Sequence, residues 1–186
     1  MSQDNADGTN IVNVLTVADI SSFVDKLSST SETSPLSVDK GIYMLAEPQY
    51  VKSGLASNAL VLNVTAEGED SSTFVRFREQ CLQMGHYQCE IIGITIDPSE
   101  SADVEAPALH AVTYTELVRD PNNLMPDAFN HQPNVNDIFW EMEMENSGVV
   151  NYSLNFMVAD LTTATKPSVV GYFVVKSSLN IGDPQD

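Results

Sequence analysis

The chain is short of cations: eight Lys and Arg stand against 26 Asp and Glu, a net charge of −18 over 186 residues. Phosphate binding relies on Lys and Arg displacing counterions, so this balance argues against nucleic acid as a partner and equally against anionic membranes. The two cysteines, Cys81 and Cys89, are too few for a disulfide framework, and their spacing fits no zinc motif. In a reducing cytoplasm they are expected as buried thiols. Apolar runs are short and interrupted, so no segment reads as a bilayer-spanning helix. The start of the chain is polar and acidic, without the basic and apolar stretches of a secretory signal, which sets a cytoplasmic expectation. Catalytic signals are missing too. There is no Gly-x-Ser-x-Gly elbow, and neither cysteine has an evident basic neighbour to lower its pKa. His86, His110 and His131 lie far apart with no ligand spacing. No enzyme activity, metal or cofactor is expected.

What is present is hydrophobic patterning. Hydrophobic residues make up 42% of the chain, enough to build a core despite the charge. After a polar tail at 1–9, the β-branched run 11–17 reads as a strand. Asp19 follows as a candidate N-cap. Ile20, Phe23, Val24 and Leu27 then recur at helical spacing, predicting one short helix over 20–28. From there the period becomes two. Strands are predicted at 41–46, 57–65, Thr73–Cys81, Tyr87–Ile96 and 109–115.

The clearest alternation lies near the C-terminus. Ile138, Trp140, Met142 and Met144 alternate with Phe139, Glu141, Glu143 and Glu145; Val150, Tyr152, Leu154, Phe156 and Val158 alternate with Asn151, Ser153, Asn155 and Met157. Such alternation fits half-buried strands with one wet face. Asn146-Ser-Gly148 between them reads as a hairpin turn. The run 169–175 is apolar on both sides and reads as a central strand, covered on each face. About nine strands with regular turns predict an all-β, antiparallel β-sandwich with one short helix after the first strand. The expected organisation is a single domain over 10–182, between tails at 1–9 and 183–186.

Few residues carry candidate chemistry. The stretches 97–107 and 119–136, rich in Pro, Asn and Asp, are expected as long loops, where binding is often placed. Asp97, Glu100, Asp103 and Glu105, and likewise Asp120, Asn122, Asn123 and Asp127, offer oxygen ligands but lack the spacing of a calcium loop. Arg76 and Arg78 share a strand face. They suit either an anionic ligand or cross-strand carboxylates such as Glu79, Glu90 and the Glu141 row, and the second reading is favoured. If the chain turns about Gly85, Cys81 and Cys89 face each other across a hairpin.

Several segments together resemble the AidA/PixA family of small bacterial proteins. They are IVNVLTVAD at 11–19, Tyr43-Met44, Val51, Ser53-Gly54, Leu60 to Val64, and Val75-Arg76-Phe77-Arg78-Glu79. Phe139-Trp140, Gly148, Tyr152-Ser153-Leu154-Asn155-Phe156 and Gly171-Tyr172-Phe173 complete the series. Phe77 stands where the family's arginine strand has tryptophan, no Gly-Asp precedes that strand, and Val174-Val175-Lys176 replaces Trp-Asp-Pro. The resemblance implies a cytoplasmic protein without catalytic residues, expressed with quorum sensing or secondary metabolism and sometimes accumulating as inclusions. Two expectations follow. One is a non-enzymatic protein that self-associates as a dimer or larger species, with a storage or host-interaction role. The other is a lectin-like sandwich that holds a glycan or other small polar ligand in the two loops through Asp127, Phe129, Asn130 and Trp140.

Overall fold

In a computed structural model, residues 9–65, 72–97, 104–123, 125, 128–144, 148–162 and 166–182 are described. Eleven strands run in order: β1 (Asn10–Ala18), β2 (Leu36–Ser37), β3 (Ile42–Ala46), β4 (Val51–Ser53), β5 (Val61–Thr65) and β6 (Thr73–Cys81). After them come β7 (Tyr87–Ile96), β8 (Ala108–Arg119), β9 (Phe129–Met144), β10 (Gly148–Asp160) and β11 (Ser168–Gly182). They form two sheets, ordered β3-β1-β6-β9-β8 and β4-β5-β11-β10-β7, with β2 added beside β11. The all-β expectation holds, but the sheets are mixed rather than antiparallel: β1 runs parallel to β6, and β11 parallel to β5 and β2.

The period-two pattern fills the space between the sheets. Val12 and Val14 of β1, Val75 and Phe77 of β6 and Met142 and Met144 of β9 point inward from the first sheet. Leu62 and Val64, Phe173 and Val175, and the row from Val150 to Val158 meet them from the second. Phe77 packs on Tyr152 across the interior at 5.3 Å between ring centroids. The stretch around 169–175 is central, as expected, yet only one side is buried: Phe173 and Val175 face the core while Val174 is half-buried and Val169 exposed.

The helical expectation at 20–28 becomes two short 3-10 segments, Ile20–Ser22 and Val24–Ser29. Phe23 interrupts them at φ −147° and lays its ring edge-on against Phe173 at 5.1 Å. Serines crowd this stretch and give little helical propensity, so burial of Ile20, Phe23 and Leu27 decides the backbone. The segment lies so close to β11 that a Cβ on Gly171 would sit 2.3 Å from the Leu27 carbonyl oxygen.

Three further expectations are corrected. β9 and β10 do not pair: β9 bonds to β6 and β8, β10 to β11 and β7. The chain therefore crosses from one sheet to the other near Gly148, and residues 145–147 of the expected hairpin lie outside those described. Alternation reveals which face is buried but not which sheet the strand joins. β6 and β7 are likewise in different sheets, although Gly85 does take a positive φ of 86° in the turn between them. Finally, 119–136 is no long loop. β8 extends to Arg119 and β9 begins at Phe129, with paired positions out to Arg119↔Phe129. Pro133 and the Asn-rich composition hid this strand; the register shift past Tyr114 and the left-handed Asn134 (φ 58°) accommodate them. Of the other expected loop, 98–103 lies outside the described residues, and Val104 bridges to Met144.

Candidate functional site

The most organised polar cluster lies on the outer face of the first sheet, where β6, β9 and β8 run side by side. Arg76 Nε donates to Glu141 Oε2 at 2.5 Å. Arg78 grips Asp137 with two bonds, Nε to Oδ1 at 2.8 Å and Nη2 to Oδ2 at 2.6 Å, and its Nη1 reaches Asn13 Oδ1. The Arg78 bonds, which outweigh partial burial, hold the Asp137 carboxyl below its ordinary range. Beneath the guanidinium groups lies Phe139, expected on the wet face but only 3% exposed. Each arginine Cζ is 4.7 Å from its ring centroid, and His110 stacks on it at 5.7 Å. The arginines thus take carboxylate partners, as favoured from sequence, with Asp137 an addition. Their charge is spent within the sheet. Beside them Asn13, Leu15, Leu45, Glu47 and Arg78 line a shallow groove of about 260 Å³.

A second cluster lies at the seam where β6 leaves β9 and approaches the edge of β7. Glu79 follows the inward-facing Phe77 and is bonded to Glu90 and to the Ile91 backbone. Burial first, then the Glu90 carboxylate, raises its pKa to about 8. Glu79 and Glu90, expected as partners for the arginines, therefore pair with each other. Next to them Cys81 and Cys89 are free, buried thiols. They meet through the interior instead of across a hairpin. Burial pushes both pKa values up, which makes them poor nucleophiles. Gln83 ties this seam to the 3-10 segment: it accepts from the Ile20 backbone N–H at 2.9 Å and donates to Asp19 Oδ1 at 2.5 Å. Nothing in the sequence pattern marked Gln83, because Asp19 and Ile20 are more than 60 residues away.

The sequence-predicted ligand residues do not converge. Phe129 and Asn130 are exposed neighbours at the far end of β9, with Arg119 5.5 Å over the Phe129 ring. Trp140 is half-buried at the other end, its indole N–H donating to the Ile91 carbonyl at 2.8 Å. At about 3.3 Å per strand residue, roughly 35 Å separates it from Phe129. Asp127 lies outside the described residues. Among the described residues no three His, Cys, Asp or Glu side chains gather as metal ligands. Asp120 and Asn123 bond to the backbone of Asn122 and Met125 within their own turn. No helix among the described residues is long and apolar enough to cross a membrane.

Outside the sandwich, β8 and the first ten residues of β9 form a two-stranded arm. Every residue of β8 is exposed except the half-buried Val118. Ile138, read from sequence as core, is 51% exposed because it sits where no opposing sheet remains.

The sequence profile of the PixA family, described as inclusion body protein, matches residues 10–181. The crystal structure of an inclusion body protein of that family from Burkholderia cenocepacia J2315 superposes with a TM-score of 0.73 at 13% identity, covering 98% of this chain and 100% of the other. A cysteine protease inhibitor from Entamoeba histolytica aligns at a TM-score of 0.25 and 10% identity, over 66% of this chain and 86% of its own, too weak a likeness to carry an argument. No curated protein sequence matches the chain.

Proposed function

Since the chain belongs to the PixA family of inclusion body proteins, we propose that it is a non-enzymatic, self-associating bacterial protein that accumulates in the cytoplasm as a stored mass. One observation carries this reading. Of the fourteen large apolar side chains exposed among the described residues, seven lie between Leu109 and Ile138, on the arm and its turn. Apolar side chains left exposed on both faces of one ribbon mark an interaction site rather than a solvated surface. The polar clusters support it from the other side, because arginines closed by carboxylates and thiols sealed in the interior offer little to a reacting substrate. Expression with quorum sensing or secondary metabolism, and a role towards a host, rest on the family resemblance.

Light scattering at neutral pH across a dilution series tests the proposal. A dimer or larger species that dissociates on dilution is expected. Monomer at every concentration would contradict it.

A further inference from the structure

A sheet edge carries a row of unpaired N–H and C=O groups, and the four edges of this sandwich are treated unequally. β3 is five residues long, and its edge is covered where Met44 N–H bonds to Ser57 O at 3.0 Å and Ala56 N–H to Met44 O at 2.9 Å. β4 has three residues, with Lys52 in the middle. β7 is closed at Ile91 by two side chains, Glu79 on the backbone and the Trp140 indole on the carbonyl. Short strands, lysines and covering groups are the ordinary defences against edge-to-edge pairing. β8 has none of them. It is twelve residues long, without Pro or Lys, and among the described residues nothing hydrogen-bonds to its outer edge. The opposite edge of the arm, on β9, is protected by Pro133 and the left-handed Asn134.

We propose that the outer edge of β8 pairs antiparallel with β8 of a second copy of this chain about a two-fold axis, joining the two five-stranded sheets into one. The inference rests on the self-association reading above and adds the surface, the partner and the symmetry. Charge selects the occupant. In a chain of −18 any second copy is repelled over most of its surface, yet β8 holds only Glu116 and Arg119, and the first ten residues of β9 hold one charged side chain, Asp137, which Arg78 neutralises. The arm is the place where two copies approach with least repulsion, whereas a basic partner would find no carboxylate row there. Main-chain pairing along all twelve residues of β8 on each side would supply the contact, fewer residues than the roughly 20–30 a side of a standard interface, which fits an association that dissociates on dilution. An isologous contact of this kind closes on itself, so its product is a dimer from which larger deposits are built.

Lysine at exposed arm positions makes the test sharp, because each added cation lowers the overall repulsion and on charge grounds alone would favour association. Val112→Lys and Leu117→Lys are compared with Val149→Lys, an exposed β10 position that is 47% accessible, by sedimentation velocity on the full chain. Expected are a dimer for wild type and Val149→Lys, and at least tenfold weaker dimerisation for both arm variants. Arm variants that dimerise like wild type would overturn this inference while leaving self-association intact; wild type that stays monomeric would overturn both. Thermal melting confirms that the variants fold. Should they not, Thr113→Cys at the middle of β8 decides: an oxidised dimer on a non-reducing gel supports the pairing, and its absence overturns it.

Discussion

Glu79 is the residue with the most to reveal in a titration. Unfolded, its carboxyl loses its proton near 4.5; folded, it keeps it to about 8. Between those values the folded state binds more protons, so stability falls as pH rises through that window and the burden is fully felt above it. Glu79→Gln keeps an acceptor for the Ile91 backbone without the charge. Urea midpoints measured from pH 4.5 to 9 should fall for wild type and flatten for the variant, which ends up the more stable above pH 8. Parallel curves would show that Glu79 is not held protonated. Arg78 makes the opposite kind of contribution. Its bonds to Asp137 are well formed but both side chains are about 30% exposed, so Arg78→Ala is expected to lower stability by only about 1 kcal/mol by chemical denaturation. Buried Phe77, 0% exposed, should cost about 3–5 kcal/mol on truncation to Ala.

Among the elements, the 3-10 segment and β11 depend on one another through a close approach rather than a charge. A Cβ at Gly171 would collide with the Leu27 carbonyl, a backbone atom that cannot rotate aside. Gly171→Ala should therefore cost about 1–3 kcal/mol, the range for overpacking, and lower the melting temperature measurably; an unchanged melting temperature would mean that the segment is not packed as described. Much of this layer was readable beforehand. β6 and β7 match their expected limits: burial in β6 alternates almost throughout, and in β7 it alternates as far as Ile91, before the irregularity in its pairing with β10. Leu60, Leu62 and Val64 are all buried as a row. Partnership was not readable. Asn146-Ser-Gly148 suits a hairpin and a crossing between sheets alike, and alternation looks the same in both. The arm was hidden for a different reason: its strands pack on no core, so Asn130, Gln132 and Asn134 carry no burial pattern at all. Of the candidate site, the arginine–carboxylate pairing was legible from strand spacing, while Gln83 and the Glu79–Glu90 pair depend on contacts between sheets that local pattern does not encode.

At the scale of the whole molecule, a fold that covers or shortens three of its edges and leaves the fourth long, apolar and nearly uncharged is arranged for contact in one place. The surrounding negative charge works against that contact over distances set by salt. Raising ionic strength from about 0.1 M to about 1 M shortens the screening length from about 10 Å to about 3 Å, so association is expected to strengthen with salt when followed by light scattering. Assembly driven by surface ion pairs would weaken instead. Lowering pH towards the sequence pI of about 4.1 removes repulsion in the same direction. Amide hydrogen exchange read at two protein concentrations tests the β8 edge most directly. Amides of residues 108–119 should gain protection in the concentrated sample while those of β3, already covered by its own loop, stay unchanged; exchange in β8 that is independent of concentration would contradict the account.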